Sequence, residues 1–547
     1  MTSPRALRHA LALACFAVVA AASAQEAVID YRISERDTLI GLSETVFTGP
    51  QAWREIARLN RLPDPNLIRP GQVLRVPARL MRTRPLPVAL ASSVGEVRVD
   101  SAAAQAGMAL AEGQQIETGA NGSAVLALAD GSRVRVPPSS LAEIVASRGP
   151  GASEAQAAKL AAEGWFAGSM RMLRGSVEVL AAKLKRSQPL EVTTPTAVVG
   201  VRGTQYRVAL DGDSGATRSE VLEGKVKLES AQRSTGTDIP AGFGAAIDAS
   251  AKKPEPVKLL PAPDLTAMPG RFERPLVRFA LPAEKATVRV QVAQDEAFER
   301  IVSDIRVSPG TDVRIAGLDD ASWHLRARRL DGQGIEGYDA THAFVLKARP
   351  EPPASNAPRS GGKQSLGPVE FQWSPNLEAK TARLQVARDE RFKDIVAERE
   401  GVEGNKLTLD LGGPGTYFSR LGSTRADGDK GPFGDAQRFE LRPLPEPPKG
   451  GLGEDGKSLV LAWGGRPEDK QHVELARDAQ FKEIVAQADL DAPEWTLPRP
   501  SQGGTYYFRY RSTEPDGFVG PYSSPLVIEV PRDWRFLWLL APFLLAL

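Results

Sequence analysis

The sequence is poor in the residues on which most catalytic and metal sites depend. Its one cysteine is Cys15, and beyond residue 24 its histidines are only His324, His342 and His472. A thiol nucleophile, a disulfide and a cysteine metal ligand are therefore excluded beyond residue 24. Three scattered histidines also supply too few ligands for a zinc peptidase site. We expect no catalytic residue, no metal and no cofactor.

The sequence also lacks an excess of charge of either sign. Its 69 basic and 67 acidic residues leave a formal net charge of +2, so there is no reason to expect nucleic acid as a partner. Glycine and proline, in contrast, are abundant, with 50 and 43 copies. Many turns and linkers favour β-structure over a large helical body. The 547 residues allow on the order of three to five domains, so we predict a mostly β, multidomain protein.

Residues 1–24 have the pattern of a secretory signal peptide. Arg5 and Arg8 precede the apolar stretch Ala10–Ala22, and Ala22-Ser23-Ala24 is a small-residue cleavage site. Two alternatives stay open, a lipoprotein signal acylated at Cys15 and a retained anchor helix. The anchor is disfavoured because the apolar stretch is shorter than the ~20 residues that a span needs. We therefore predict export to the periplasm or cell envelope.

Residues 534–547 form an apolar tail that contains Pro542. A helix of this length would reach ~21 Å, short of the ~30 Å hydrocarbon core. We predict an interfacial or packed tail rather than a span, with contact to a membrane surface left open.

The spacing of the apolar residues in 29–77 predicts a small β-α-α-β domain. The features in chain order are a strand at Tyr31–Ile33, a helix from Asp37-Thr38 with Leu39, Leu42 and Val46 on its apolar face, a second helix through Trp53, Ile56 and Ala57, a turn at Pro70-Gly71, and a strand at Val73–Val76. Thr48 and Gln51 have capping-box spacing, so we expect them to start the second helix.

This segment resembles the LysM domain, a module that binds N-acetylglucosamine-containing glycans such as peptidoglycan and chitin. The matching residues are Tyr31-Arg32-Ile33, Asp37-Thr38-Leu39, Trp53-Arg54-Glu55-Ile56, Asn60, Ile68-Arg69-Pro70-Gly71-Gln72 and Leu74-Arg75-Val76-Pro77. One departure is Arg36, which stands where the family usually has glycine and puts the strength of binding in question.

In LysM domains the sugar lies in a shallow groove between the strand-1/helix-1 loop and the helix-2/strand-2 loop. Carried over by position, the resemblance implies a glycan-binding set of Asp37, Thr38, Leu39, Asn60, Ile68 and Pro70. Short polar groups would bond the acetamide, and apolar side chains would cover the sugar face. Each residue also has an ordinary structural role open to it: Asp37 and Thr38 as a helix cap, Asn60 as a helix end, Ile68 as core.

The stretch that follows is predicted to be a linker and then a β-rich domain. Residues 78–93 are rich in Pro, Arg and Ser, which is typical of a linker. Val192–Val208 is rich in β-branched residues, with Gly200 and Gly203 breaking the run, which predicts strands around a tight bend. A hairpin is expected to turn at Asp130-Gly131, and Ala152–Glu163 is an Ala-rich, helix-like insertion.

Residues 94–250 resemble the FecR domain, a periplasmic β-rich module known from iron-uptake signalling. The matching pieces are Asp130-Gly131-Ser132, Pro138-Ser139-Ser140, Leu173–Val179, Thr194-Pro195, Gly200–Thr204 and Tyr206. Leu222–Leu228 repeats the form of Leu173–Val179, apolar residues followed by glycine and then alternation. Short strands around glycines suit a solenoid or a jelly-roll-like fold. The resemblance implies an interaction with a protein or ligand, and we expect an unknown envelope protein as the partner.

Three internal repeats follow, at 255–348, 359–442 and 450–531. Each contains an apolar strand and then an Asp-x-x-Phe-x-x-Ile-Val sequence, with the phenylalanines at Phe298, Phe392 and Phe481. A period near 90 residues is the size of one β-sandwich. The repeats resemble fibronectin type III-like domains. Trp323, Tyr417 and Tyr507 each open a strand in phase, and we expect the repeated aromatic residues to lie in the cores.

Together these observations favour a non-enzymatic envelope protein that binds peptidoglycan through its LysM domain. The alternative is a periplasmic sensor or regulatory component, by analogy with FecR regulators. A cell-wall hydrolase is a third reading because LysM domains often accompany such enzymes, and aspartate and glutamate are plentiful enough for a glycosidase. It is the weakest of the three, since no segment remains to form a catalytic domain.

Overall fold

The computed structural model describes residues 28–152, 157, 160, 165–182, 190–201, 203–232, 236–250, 253–281 and 284–532. The predicted signal peptide and apolar tail lie outside the described residues, as does most of the Ala-rich insertion. The described part is mostly β and multidomain, as predicted. It divides into two compact units, one up to Leu346 and one from Lys347 onward, and each is described by itself.

The N-terminal domain has the predicted β-α-α-β order. Its elements are β1 (Val28–Arg32), α1 (Leu39–Thr45), α2 (Ala52–Leu59) and β2 (Val73–Pro77). β1 and β2 pair antiparallel, with Tyr31 opposite Leu74. The expected apolar face of the first helix, Leu39, Leu42 and Val46, is buried in a core with both strands.

The two helices begin in different ways. Thr38 caps α1 as predicted, its Oγ1 accepting a hydrogen bond from the Gly41 amide at 3.0 Å. The predicted capping box of α2 is wrong, because Gln51 makes no side-chain cap and the Thr48 hydroxyl donates to the Arg79 carbonyl. The α2 amide of Trp53 donates instead to Ser43 Oγ of α1, at 2.9 Å. Packing between the helices therefore supplies the cap.

The prediction that residues 78–93 form a linker is wrong. This stretch contains a 3-10 turn (Ala78–Leu80), strand β3 (Thr83–Pro85) and strand β4 (Val88–Val94). Leu80 and Met81 are buried with the N-terminal domain, and Val88 and Leu90 are buried in the next one. Apolar residues at alternate positions give β4 a buried face despite the prolines that precede it.

The second domain also sends side chains into the first. Leu160 of the Ala-rich insertion and Trp165 just after it are buried in the N-terminal core, and the Trp165 amide donates to the Leu160 carbonyl at 2.9 Å. These two residues join the first two domains through a shared apolar contact.

The second domain is a closed network of strands arranged in two layers. Besides β3 and β4, its strands are β5 (Val97–Val99), β6 (Ala102–Ala103), β7 (Ala109–Leu110), β8 (Gln115–Thr118), β9 (Ser123–Ala127), β10 (Arg133–Val136), β11 (Leu141–Pro150), β12 (Ala167–Leu180), β13 (Leu190–Thr193), β14 (Ala197–Val201), β15 (Gln205–Leu210), β16 (Thr217–Glu223), β17 (Lys225–Ser230), β18 (Gly236–Pro240), β19 (Phe243–Ile247) and β20 (Val257–Lys258). The predicted hairpin at Asp130-Gly131 joins β9 to β10.

We call the two layers the front layer and the back layer. The front layer has the order β7-β4-β9-β10-β12-β15-β16-β19-β20, and the back layer has the order β6-β5-β8-β11-β12-β13-β14-β17-β18. The core lies between the two layers.

The two similar segments around glycine are points where the chain changes layer. In β12 the residues before Gly175 pair in the back layer, and those from Gly175 onward pair in the front layer. Gly224 separates front strand β16 from back strand β17. Both glycines have φ near +80°, and a Cβ at Gly175 would come within 2.7 Å of the Ser139 carbonyl oxygen. Glycine is required at these crossings.

The three repeats are β-sandwiches. Repeat 1 has β21 (Arg271–Phe272), β22 (Val277–Phe279), β23 (Thr287–Ala293), β24 (Ile301–Val307), β25 (Val313–Ile315), β26 (Ala321–Leu330) and β27 (Ala340–Leu346). Repeat 2 has β28 (Ser355–Ala357), β29 (Gly362–Ser365), β30 (Val369–Trp373), β31 (Thr381–Ala387), β32 (Ile395–Val402), β33 (Lys406–Leu409), β34 (Gly415–Thr424), β35 (Lys430–Phe433) and β36 (Gln437–Arg442). Repeat 3 has β37 (Lys449–Leu452), β38 (Ser458–Ala462), β39 (Lys470–Ala476), β40 (Ile484–Leu490), β41 (Glu494–Pro498), β42 (Gly504–Thr513) and β43 (Leu526–Val530).

One correction concerns the aromatic residue that recurs in the repeats. Ala293, Ala387 and Ala476 are equivalent, and they pair with His324, Phe418 and Tyr507 across the sheet. The residue one position earlier is Trp323 in repeat 1, Tyr417 in repeat 2 and Tyr506, rather than Tyr507, in repeat 3. Tyr506 is buried, whereas Tyr507 is not. Neighbouring residues of a strand point to opposite faces, so a shift of one position exchanges core for surface.

Candidate functional site

The two loops that border the expected glycan groove lie side by side. The Ile33 amide donates to the Gln72 carbonyl, and the Gly71 amide donates to the Ile33 carbonyl, both at 2.8 Å. These bonds bring the loop before α1 next to the loop before β2. The two loops that the LysM resemblance implies as the walls of the groove therefore adjoin each other.

In the first loop, Asp37 and Thr38 organise the backbone. The Asp37 carboxylate accepts from the Ser34 amide at 2.7 Å and from the Tyr31 hydroxyl at 3.0 Å. Thr38 is exposed, and because its oxygen serves as a cap acceptor, its hydroxyl proton can still be donated to a ligand. Leu39 is buried in the core, so it positions this loop from below and does not line the groove.

The side chain of Asn60 makes its hydrogen bonds to α2 and β2. Its amide donates to the Ile56 and Arg75 carbonyls at 2.8 Å each, and its Oδ1 accepts from the Arg75 amide. These bonds attach the end of α2 to β2, so Asn60 is a structural clamp in this structure. Ile68 is half-buried and Pro70 is exposed, both on the second loop.

Two residues that sequence reasoning missed also lie on these segments. Leu67 in the second loop and Ile40 in the first turn of α1 are large apolar side chains exposed by 74% and 53%. Each neighbours a more buried apolar residue in the sequence, Ile68 and Leu39. A pair of adjacent apolar residues at a loop was the available signal, because only one of the two can point into the core.

The departure from the family pattern at Arg36 has a structural explanation. Arg36 has φ of 72°, in the left-handed region where glycine is favoured. We expect Arg36→Gly to raise the free energy of unfolding of this domain slightly, by up to about 1 kcal/mol, because relief of about 1–2 kcal/mol of strain is partly offset by the flexibility of glycine in the unfolded chain. Arg75→Gly, within strand β2, is the matched control and should lose about 1 kcal/mol. Thermal unfolding of both variants checks this, and equal losses would contradict it.

A second candidate site lies on the front layer of the second domain. Arg135, Glu178, Arg207 and Glu220 stand opposite one another on the adjacent strands β10, β12, β15 and β16. They form a row of alternating positive and negative charge across the sheet. Gly244 continues the row on β19, and a Cβ there would lie 2.6 Å from Ile335 of repeat 1.

Repeat 1 covers this row with charged residues of its own. Arg326 and Arg328 each donate to the Glu178 carboxylate at 2.8 Å, and Arg207 donates to Asp339 at 2.8 Å. The Glu336 amide donates to Glu220 at 3.1 Å. We call the whole set the buried charge cluster: Arg135, Glu178, Arg207, Glu220, Arg289, Asp304, Arg326, Arg328, Glu336 and Asp339.

Burial and neighbouring charges set the ionisation of this cluster. Burial alone raises the pKa of Glu178, but the Arg326 and Arg328 guanidinium groups outweigh it and hold that pKa well below its usual range. Burial alone would also raise the pKa of Glu336, but the Arg289 and Arg328 guanidinium groups hold it well below its usual range. Burial and the nearby Glu336 charge instead raise the pKa of Glu220 to about 7. Within the described residues its Oε2 accepts no hydrogen bond.

This cluster was not predicted from the sequence. Arg289, Arg326 and Arg328 occupy alternate strand positions, which normally indicates a solvent-exposed face. The side chain of Arg328 is only 1% exposed. The available signal was the density of arginine on one face of repeat 1. Buried arginines need carboxylates as partners, so this density indicates that another surface covers the face.

The second unit contains a cavity of about 350 Å³ between repeats 2 and 3. Its buried carboxylates are paired: Asp469 with Arg466 at 3.0 Å, and Glu514 with Arg442 at 2.8 Å. In the part of the chain that the structure describes, no group of three or more His, Cys, Asp or Glu side chains could hold a metal ion. Among the described helices, none has the length and apolar character needed to cross a bilayer.

Comparison with protein families identifies two of the domains. The LysM domain model matches residues 31–77, and the FecR protein model matches residues 114–227. Both predictions of family are confirmed, and the chain therefore contains a LysM domain and a FecR domain followed by fibronectin type III-like β-sandwiches. Domains of these types have binding or regulatory roles. A search of curated protein sequences finds no match.

Solved structures are similar only in part. A candidate anti-sigma factor from Parabacteroides distasonis is 14% identical, with a TM-score of 0.20, over 26% of this chain and 59% of its own. The chicken CNTN1 FN1-FN3 domains are 14% identical over 45% of this chain and 90% of theirs, with a TM-score of 0.20. The fibronectin(III)-like modules of Clostridium thermocellum CbhA are 9% identical over 32% and 93%, also at 0.20. The chain thus spans about three fifths of the anti-sigma factor's length.

Proposed function

We propose that this protein is a non-enzymatic component of the cell envelope that binds peptidoglycan through its LysM domain and engages protein through its FecR domain. The observation that carries the first part is the LysM domain itself, with two adjoining loops that present Thr38, Ile68 and Pro70 beside exposed apolar residues. LysM and FecR domains are typical of envelope or periplasmic proteins, which supports a periplasmic location.

Co-sedimentation of the chain from residue 25 onward with purified peptidoglycan tests glycan binding. We expect the unaltered chain to sediment and Leu67→Glu to bind at least tenfold more weakly, because a charge on the groove wall opposes contact with the apolar sugar face. Leu377→Glu, at an exposed leucine of repeat 2, is the matched control and should bind normally. The proposal fails if the unaltered chain stays in solution, or if Leu67→Glu and Pro70→Glu both bind as well as the control.

A role in envelope signalling is the second candidate, and the FecR match favours it. Crosslinking in cells followed by identification of an inner-membrane receptor would support this role. Crosslinks to the cell wall alone would favour a purely adhesive one. Release of muropeptides by the purified protein would overturn both in favour of a hydrolase.

A further inference from the structure

Each repeat carries the same arginine in the same environment. Arg326, Arg420 and Arg509 lie opposite Gln291, Gln385 and Glu474 across the sheet, and each donates to that partner. Each guanidinium also lies over the phenylalanine of the Asp-x-x-Phe turn, at 4.5, 4.0 and 3.9 Å from the rings of Phe298, Phe392 and Phe481. The three sheets therefore present closely similar faces.

The repeats differ in what covers this arginine on its other side. In repeats 2 and 3 it is an aromatic ring of the same repeat, Phe433 at 4.5 Å from Arg420 and Tyr522 at 3.8 Å from Arg509. Both rings stand two residues after a glycine, Gly431 or Gly520. The corresponding residue of repeat 1, two after Gly337, is Asp339. Repeats 2 and 3 thus cover their own faces, whereas repeat 1 has a carboxylate in place of the ring.

That carboxylate and its neighbours point to the FecR domain. Asp339 accepts from Arg207 of β15, and Arg328 donates to Glu178 of β12. Arg328 stands where repeat 2 has Gly422, since Arg289 and Arg383 are the residues opposite them. Glu336 donates its amide to Glu220 of β16. The three residues that set repeat 1 apart from repeat 2 all contact the row of charge on the front layer, beside the shared Arg326.

We propose that repeat 1 is the dedicated protein partner of the FecR domain. Arg328, Glu336 and Asp339 select it over repeat 2. Repeat 3 keeps an arginine, Arg511, at the position of Arg328, so there the selection rests on Glu336 and Asp339, which are replaced by Val519 and Tyr522. The inference refines the protein-binding part of the proposed function and is independent of glycan binding. The front layer is then engaged within the chain, and the back layer is the surface left for any further protein. An aromatic cap at position 339 would leave Arg207 buried without its carboxylate, which opposes docking of a face like that of repeat 2 or 3.

Site-specific crosslinking in the full chain from residue 25 onward tests this pairing. Arg133 of β10 and Glu299 of repeat 1 form an ion pair at 2.8 Å at the edge of the contact, with both side chains partly exposed. No cysteine occurs beyond residue 24, so Arg133→Cys with Glu299→Cys provides a unique pair for a short bismaleimide. The crosslink yield, read by mass spectrometry, is compared with and without Arg328→Gly plus Asp339→Tyr, which introduce the glycine of repeat 2 and the tyrosine of repeat 3 at these positions.

We expect efficient crosslinking in the unaltered background and at least a fivefold lower yield with the two changes. The milder variant Asp339→Asn keeps the size of the side chain and should lower the yield two- to fivefold. Tyr522→Asp in repeat 3 is the control and should leave the yield unchanged. Hydrogen exchange in β23 and β26 verifies that repeat 1 stays folded. Unchanged yield in both the paired change and Asp339→Asn would overturn the proposal, as would an equal fall in the Tyr522→Asp control.

Discussion

Arg328→Met is expected to lower the free energy of unfolding of the part of the chain up to Leu346 by about 3–5 kcal/mol. Arg328 is buried and donates to Glu178 and Glu336 at 2.8 Å each, besides Asp339. Methionine has a similar length but removes one positive charge from beside three carboxylates. Those carboxylates then remain buried with too little compensation, and that cost exceeds the loss of the contacts themselves.

Arg278→Met is the matched control for this prediction. Arg278 lies in the same repeat and pairs with Asp312 at 2.7 Å, but its side chain is 58% exposed. An exposed ion pair contributes less than about 1 kcal/mol. Thermal unfolding monitored by hydrogen exchange of repeat 1 measures both variants. An equal loss of unfolding free energy in the two variants would contradict the prediction, because the buried arginine would then contribute no more than the exposed one.

Arg328 and Glu178 offer a test of energetic coupling within the buried charge cluster. Because Arg328 and Glu178 share a hydrogen bond, removing both should cost less than the sum of the two single losses. We expect Arg328→Met combined with Glu178→Met to be less destabilised than additivity requires by about 1–3 kcal/mol. Strict additivity would mean that the two charges act independently.

Glu220→Gln is expected to stabilise the first unit above pH 7 and to flatten its pH dependence. Burial, aided by the Glu336 charge, raises the pKa of Glu220 to about 7 in the folded chain, against about 4.3 when unfolded. Between these two values the folded state holds the proton and the unfolded state does not, so stability falls as pH rises. The loss is complete above pH 7 and amounts to at most about 4 kcal/mol. Glutamine carries no charge to bury.

At acidic pH the stability of the first unit depends on pH with the opposite sign, and other residues are responsible. The arginines lower the pKa of Glu178, Glu336 and Asp339 below the unfolded values despite burial, so stability is present above about pH 4 and lost below it. The unaltered protein should therefore be most stable near pH 5, and Glu220→Gln should keep its stability up to pH 8. Urea unfolding at pH 4, 5, 6, 7 and 8 checks both limbs. Glu117→Gln, an exposed carboxylate paired with Arg174, is the control and should leave the curve unchanged.

Local pattern was sufficient where a segment is stabilised by its own residues. The cap of α1 by Thr38 and the buried face of Leu39, Leu42 and Val46 follow from short-range spacing. The cap of α2 could not be predicted in this way, because the acceptor Ser43 comes from another helix. The residues predicted to bind glycan show the same division: Thr38, Ile68 and Pro70 lie on the two loops, whereas Leu39 is buried in the core and Asn60 attaches α2 to β2.

The order of the domains could be predicted from the amino-acid sequence alone: a LysM domain, a FecR domain and three β-sandwich repeats. These follow from local periodicity and from residue types that tolerate few conformations. The contact of repeat 1 with the FecR domain through buried charge is visible only in the folded chain. The physical reason is that an arginine on a strand face reads as exposed in any sequence, and its burial depends on carboxylates more than a hundred residues away, such as Glu178 for Arg326 and Arg328.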